Sequence, residues 1–178
     1  MLCMFTIVEN EDEKIKLEEL YEAYRQEMHR QAYAILKDED DAEDAVQDAF
    51  FRIWSNLDKL QNMKQGGIKW YVICAARYAA IDIYRDKKKR LQKEETYDEN
   101  FPYEYSKEEN TEDDSLYGKI SSFPDRERDV LMLKYVYGFQ YKEISKMLHI
   151  SVEAVKKALT RARSRLKKLC REEGLYND

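Results

Sequence analysis

The chain contains 178 residues, 43% of them hydrophobic, which is enough apolar material for one or two small cores and too much for a disordered chain. It has only two Pro and five Gly, is rich in Glu, Lys, Leu and Ala, and contains no run of alternating apolar residues. We therefore predict an all-α fold.

The net charge of −5 is divided into blocks of opposite sign. Residues 1–60 have a net charge of −9, residues 61–90 of +6, residues 91–118 of −8 and residues 119–178 of +6. Two separate basic segments in an acidic chain indicate two DNA contacts. The acidic surfaces are expected to contact a different partner.

The sequence carries no sign of a membrane span, a signal peptide or a metal site. Its longest apolar stretches are far shorter than the ~18 residues of a membrane helix, and acids follow residues 1–8, unlike in a cleavable signal. We expect a cytoplasmic protein. The few cysteines and histidines are too scattered for a disulfide framework or a metal cluster, so no cofactor is expected; they are Cys3, Cys74, Cys170, His29 and His149.

Residues 10–90 form the first predicted domain, which contains three long helical patterns. Apolar residues recur at spacings of three and four in the first two patterns, so each pattern has one buried face. The second helix is expected to begin near Asp40 or Asp41. The buried positions are Leu17, Tyr21, Tyr24, Met28 and Ala32 in the first helix, and Ala42, Val46, Ala49, Ile53 and Leu57 in the second.

The opposite face of the second helix is acidic. It presents Asp44, Asp48, Phe51 and Ser55, with Asp41 and Gln47 beside them. A solvated acidic face is one explanation. Because an aromatic residue in a polar face is poorly explained by solvation, Phe51 favours the other explanation, a docking surface for a basic partner.

The third pattern, residues 70–90, is nearly uncharged at first and strongly basic at its end. Its expected core positions are Ile73, Ala76, Ala80 and Ile83, which leaves Trp70, Arg77, Tyr78, Ile81 and Asp82 for other surfaces. Aromatic side chains beside cations hold the unstacked bases of single-stranded DNA. The alternative is that Trp70 and Tyr78 fill the core.

Residues 91–117 are predicted to be an acidic, flexible linker. They lack helical periodicity, include Pro102 and contain ten acidic residues. The fold class is therefore two small helical domains joined by this linker.

Residues 118–174 form the second predicted domain. Its first helix should start near Pro124, with Asp125 and Glu127 in the first turn, and stop at Gly138. The residues expected in its buried line are Val130, Leu133 and Tyr137.

A helix-turn-helix follows at residues 141–171. Its short first helix is patterned by Ile144, Met147 and Leu148, the turn lies at 149–151, and Ser151 is a good N-cap for the second helix. The second helix should bury Val155, Leu159, Ala162, Leu166 and Leu169 and expose its remaining positions, including Lys156, Lys157, Arg161, Arg163, Arg165, Lys167 and Lys168 against the one acid Glu153. These donors suit phosphates and base edges in a major groove. A basic amphipathic helix that only solvates itself is the alternative.

Three segments in this order resemble the extracytoplasmic-function sigma factors of the primary-sigma superfamily. They are DAEDAVQDAFFRIW at 41–54, AARYAAIDIYRDKKKR at 75–90 and the segment from FPDRERD to RARSRL at 123–166. The resemblance implies a dissociable initiation subunit of RNA polymerase that recognises the −10 and −35 promoter elements and is not an enzyme by itself. Its implied partners are core RNA polymerase and promoter DNA, and an anti-sigma factor is a further candidate.

The resemblance also implies roles for individual positions. Asp41, Asp44, Gln47 and Asp48 match the surface that docks on the polymerase, and we assign Phe51, on the same helix face, to that surface as well. Lys156, Lys157, Thr160 and Arg161 match the −35 reader, with Ser151 and the backbone near Glu153 close to phosphates. Lys64 lies in the loop that receives a −10 base, and Arg77, Tyr78, Ile81, Asp82 and Arg85 lie on the promoter-melting helix. The acidic linker would thread the RNA exit channel.

The chain differs from the family pattern at three positions, where the family often has Asn, Gly and Arg: Tyr78, His149 and Ala158. Two other classes of protein compete with the resemblance. A stand-alone helix-turn-helix regulator would explain the second domain, although residues 10–90 look like a melting module rather than a ligand or dimerisation domain. A metal hydrolase built on Asp41, Asp44 and Asp48 lacks a second set of ligands.

Overall fold

The computed structural model describes residues 8–60, 63–91 and 116–172. All regular secondary structure in these ranges is helical, which confirms the predicted all-α fold. The chain divides into two compact units, one within residues 1–101 and the other within residues 102–178. In the described part of the chain, no helix is long and apolar enough to cross a membrane.

The first unit contains helices α1 (Glu11–Leu36), α2 (Glu39–Trp54), α3 (Leu57–Leu60) and α4 (Gln65–Leu91). Asn10 caps α1 by accepting the backbone N–H of Asp12 at 3.0 Å. Asp38 caps α2 by accepting the backbone N–H of Asp41 at 3.0 Å. A short polar side chain at an N-cap satisfies amides that have no partner within the helix. These two caps set where α1 and α2 begin.

Helices α1, α2 and α4 pack against one another and enclose the core of the first unit. The predicted positions on α1 are buried at Leu17, Met28 and Ala32 and half-buried at Tyr21 and Tyr24. The five predicted positions of the second pattern are all buried, although α2 ends at Trp54 and Leu57 lies in α3. The amphipathic period therefore identified the inner faces of α1 and α2.

Helix α4 is the central helix of the first unit. It contacts both α1 and α2, and residues 71–81 are all buried. A helix that is apolar on every side belongs inside a protein rather than on its surface. From Tyr84 onwards α4 is mostly exposed, and its last turn carries Lys88, Lys89 and Arg90.

The second unit contains α5 (Leu116–Ser121), α6 (Asp125–Tyr135), α7 (Tyr141–Leu148) and α8 (Val152–Glu172). Helix α6 begins where predicted but ends three residues before Gly138, which adopts a φ of 72° in the following turn. That left-handed conformation is one that glycine adopts without strain. Val130 and Leu133 are buried as predicted, whereas Tyr137 is half-buried.

The predicted linker, residues 91–117, lies outside the described residues apart from its two ends. Leu91 is the last residue of α4, and residues 116 and 117 open α5. The domain boundaries at 90 and 118 therefore stay predictions.

Candidate nucleic-acid interface

The second unit builds a helix-turn-helix from α7 and α8. Ile144, Met147 and Leu148 on α7 are buried as predicted. His149 makes the turn in the left-handed conformation, with a φ of 47°, at the position where the resembled family often has glycine. Ser151 caps α8, since its Oγ accepts the backbone N–H of Ala154 at 3.1 Å. The positive end of the α8 dipole therefore lies directly after the turn.

The buried face of α8 is wider at its start and narrower at its end than the sequence predicts. Val155, Leu159 and Ala162 are buried as expected. Ala158, expected among the exposed positions, is only 5% exposed, because α8 packs against both α6 and α7. The residues expected to be buried near its end, Leu166 and Leu169, are half-buried.

Length explains the half-buried end of α8. The helix has 21 residues, whereas α6 has 11 and α7 has 8. At ~1.5 Å per residue, α8 is longer than either helix that covers it. Its last turns therefore extend past their cover.

The first half of α8 carries the exposed residues predicted to read DNA. Lys156, Lys157, Thr160 and Arg161 are all exposed, as are Ser151 and Glu153 at the start of the helix. Lys156 Nζ lies 2.9 Å from Glu153 Oε1, and the Thr160 hydroxyl donates to the Lys156 carbonyl at 3.0 Å. Lys157 and Arg161 lie one turn apart, and neither forms an ion pair within the described residues. This pair of cations is available to a phosphate or a base edge.

Two arginines counted among the exposed donors instead hold α8 to α6. Arg163 Nε donates to the Tyr135 hydroxyl at 2.6 Å, and this hydrogen bond raises the pKa of Arg163. Arg165 Nε donates to Glu127 Oε2 at 2.6 Å, and the Glu127 side chain is only 10% exposed. Both side chains are exposed, as predicted, but α6 supplies hydrogen-bond partners for them that the period of α8 does not reveal.

The predicted acidic face of α2 is partly exposed. Its exposed residues are Asp44, Phe51 and Ser55. Phe51 is 42% exposed, so an aromatic side chain lies at the surface of this face. Gln47 is half-buried beside them. Two acids of the predicted set are engaged within the unit: Asp41 pairs with Lys87 of α4, and Asp48 Oδ2 lies 2.5 Å from Arg52 Nη2.

The predicted −10 residues do not form one surface. Arg77, Tyr78 and Ile81 are 2%, 4% and 9% exposed, so the expectation that they face away from the core was wrong. Arg77 Nη2 donates to Cys74 Sγ at 3.4 Å inside the unit. The physical reason is that α1 and α2 together cover α4, so a helix expected to have one core face has several.

Trp70 is half-buried, between its two expected states, and Cys74 is buried. The remaining −10 candidates lie nearer the surface. Lys64 is exposed before α4, and Arg85 is half-buried near its basic end. The exposed aromatic of this helix is Tyr84, at 37%, which the sequence analysis did not single out.

Asp82 is also held within the first unit. Its Oδ2 lies 2.8 Å from Arg52 Nη2, and its Oδ1 lies 3.9 Å from Arg85 Nη1. Arg52 is 8% exposed and was not among the predicted site residues. The signal that could have found it is an arginine among apolar residues, one helical turn after Asp48.

Two protein families match the chain, one in each unit. The family Sigma-70 region 2 matches residues 20–90, and the family Sigma-70, region 4 matches residues 114–166. These two families define the chain as a sigma factor, a class of protein that directs RNA polymerase to promoters.

Curated relatives narrow the class. The chain is 30% identical over 156 residues to the ECF RNA polymerase sigma factor SigM of Bacillus subtilis, covering 86% of this chain and 94% of that protein. It is 28% identical over 141 residues to the RNA polymerase sigma factor SigV of the same organism, covering 78% and 81%. The chain belongs to the extracytoplasmic-function RNA polymerase sigma factors. Such proteins regulate transcription initiation.

A solved structure is similar at a lower level. It is the sigma factor RpoE in complex with the anti-sigma factor NepR from Bartonella quintana, with 20% identity and a TM-score of 0.39 over 91% of this chain and 98% of that one. A likeness at that level supports no statement about this chain.

Proposed function

We propose that this sigma factor reads the −35 element with the first half of α8, contacts the −10 element with the basic end of α4, and docks on core RNA polymerase with the exposed face of α2. The observation that carries the proposal is the exposed pair Lys157 and Arg161, one turn apart on a helix whose capped N-terminus follows the turn. Its partners are core polymerase and promoter DNA, and we place its action in the cytoplasm.

The −35 surface combines electrostatic attraction of DNA phosphates with hydrogen bonds to base edges. The positive N-terminus of α8 and the backbone amides near Glu153 attract a phosphate. Ser151 caps this end of the helix by accepting the backbone N–H of Ala154. Lys157 and Arg161 can then donate to the guanine O6 and N7 acceptors in a major groove. Lys156 and Thr160 lie beside these two residues. Lys156 pairs with Glu153, and the Thr160 hydroxyl donates to the Lys156 carbonyl, so these side chains shape the surface that α8 presents to DNA.

The docking surface is centred on Asp44 and Phe51, with Gln47 and Ser55 beside them. A half-exposed aromatic next to carboxylates fits a basic partner that also buries apolar surface. Asp41 and Asp48 border this surface, although each is already paired with a cation of the same unit.

The −10 surface lies at the basic end of α4. Arg85 and the exposed cations Lys88, Lys89 and Arg90 supply phosphate contacts. Lys64 lies before the opposite end of the 27-residue helix and would make a separate contact with the promoter. Tyr84 supplies an aromatic face on which an unpaired base can stack. The buried residues Arg77, Tyr78 and Ile81 have no place in this surface.

An anti-sigma factor remains a candidate partner, and the acidic linker remains a candidate occupant of the RNA exit channel. Carboxylates there could take the place of nucleic-acid phosphates.

Run-off transcription tests the proposal. Purified core polymerase and this protein should give a transcript from a promoter selected from a genomic library, and altering the −35 or −10 element should abolish it. A stand-alone regulator would behave differently. It would protect its DNA site tightly without polymerase and would add no transcript.

A further inference from the structure

Arg52 joins the helix proposed to dock on polymerase to the helix proposed to open DNA. Its Nη2 lies 2.5 Å from Asp48 Oδ2 on α2 and 2.8 Å from Asp82 Oδ2 on α4. The Arg52 side chain is 7% exposed, whereas those of Asp48 and Asp82 are 47% and 20% exposed. One buried cation therefore connects a carboxylate on the docking side with a carboxylate on the promoter-melting helix.

We propose that Arg52 is a positioning residue for promoter opening, which holds α4 through Asp82 so that its basic end faces the DNA. This inference rests on the proposed functions of α2 and α4. Asp82 then acts by holding Arg52 and reads no base.

Burial makes this ion pair strong enough to position a helix. Exposed ion pairs contribute little because water and salt screen them. The Arg52 guanidinium is buried, so losing one of its two carboxylates removes part of the compensation of a buried charge, and separating α4 from Arg52 is costly. The planar guanidinium has five donors and can serve two carboxylates at once, which a lysine ammonium on a flexible stem does less well.

A second ion pair connects the same two helices closer to the basic end of α4. Lys87 pairs with Asp41, and this hydrogen bond raises the pKa of Lys87. From Asp41 to Arg52 the numbers rise along α2, while their partners on α4 fall from Lys87 to Asp82, so the two helices run antiparallel here. Two attachment points fix both the rotation and the sliding of α4 against α2, and only the inner point, at Arg52, is buried.

The test measures opening separately from docking. Arg52→Met and Asp82→Asn should slow duplex opening by core polymerase about 10- to 100-fold, because misplacing a contact group by ~1 Å costs on that order. Polymerase affinity should not fall. A template with a premelted −10 element should restore transcription for both variants. Arg52→Lys should fall between Arg52→Met and the wild type.

The double variant distinguishes one linked pair from two separate roles. Arg52→Met with Asp82→Asn should open DNA no more slowly than the worse single variant, since both remove the same interaction. Additive losses, or normal opening by Asp82→Asn, would overturn the positioning role.

Another ion pair between two helices of the same unit serves as the control for effects on stability. Arg25 Nη2 lies 3.1 Å from Glu43 Oε2 and joins α1 to α2, and Arg25 forms no hydrogen bond or ion pair with α4 within the described residues. Arg25→Met should therefore leave opening unchanged, even if it lowers the melting temperature as much as Arg52→Met does. Slow opening by Arg25→Met as well would show that Arg52 acts only through stability.

Arg85→Ala separates failure of this inference from failure of the proposed function. If Arg85→Ala opens duplex DNA normally, the basic end of α4 is not the −10 surface and both proposals fail. If Arg85→Ala is impaired while Arg52→Met opens normally, the −10 surface stands and the positioning role is overturned.

Discussion

Lys157 and Arg165 are both exposed cations of α8, but they differ in their interaction partners. Lys157 forms no ion pair within the described residues, whereas Arg165 donates to Glu127 of α6 at 2.6 Å. Lys157→Ala should cost about 1–3 kcal/mol of promoter binding by the polymerase complex, and only when the −35 element is intact. Lys168→Ala, three turns further on, should cost less and equally for all sequences. Binding titrations on matched and altered −35 elements measure both.

Arg165→Ala should act on stability. Removing the guanidinium leaves Glu127, whose side chain is 10% exposed, without this partner, at a cost of about 1–3 kcal/mol in the free energy of unfolding. Denaturant unfolding should show the loss, and −35 selectivity should stay unchanged. A change in selectivity with unaltered stability would mean that Arg165 reads DNA.

Substitutions of Tyr84 and Tyr78 should likewise have different effects, one on promoter opening and the other on stability. Tyr84→Ala should impair promoter opening without lowering the melting temperature, since Tyr84 is 37% exposed. A premelted −10 template should rescue Tyr84→Ala and should not rescue Lys157→Ala. Tyr78→Ala removes a side chain that is 4% exposed and should cost about 3–5 kcal/mol of stability. Permanganate reactivity of promoter thymines and thermal melting measure the two effects, and a stable Tyr78→Ala would contradict its burial.

Among the elements, α2 allows docking to be tested apart from folding. Asp44 is exposed and forms no ion pair within the described residues, whereas Asp48 pairs with the buried Arg52. Asp44→Lys should weaken polymerase binding and leave the melting temperature unchanged. Asp48→Lys should lower both, because it places two cations together. Polymerase binding that is unaffected by Asp44→Lys would support a solvated acidic face.

The sequence period predicted the helices that have one covered face. On α2 and in the first half of α8, apolar residues at spacings of three and four marked the buried side because water reaches the opposite side. On α4 the same argument failed at Arg77, Tyr78 and Ile81, since two helices cover it and the period no longer separates inside from outside. A helix with almost no charge over 70–81 was the signal for burial on all sides.

Partners across helices could not be predicted from the sequence. Arg52, Arg163 and Arg165 each bind a residue between 28 and 38 positions away, namely Asp82, Tyr135 and Glu127. Such pairs depend on which helix faces are brought together. The exposure of Lys157 and Arg161, which are proposed to read DNA, was predicted because exposure on one helix face is a local property.

For the whole molecule, the charge blocks predict dependence on polymerase. Residues 1–60 carry a net charge of −9 and therefore repel the DNA phosphates. The two basic segments lie in separate units. Binding one promoter with both units requires ordering them, and polymerase removes that cost by fixing their separation. The free protein should therefore bind promoter DNA weakly, and its affinity should fall steeply with salt.

The most direct measurement is a footprint on one promoter, made with the protein alone, with core polymerase alone and with both, followed by run-off transcription from the same samples. The account predicts protection of the −35 and −10 elements and a transcript only when both are present, with both signals reduced by Lys157→Ala. Tight, specific protection by the protein alone, without a transcript on adding polymerase, would contradict it.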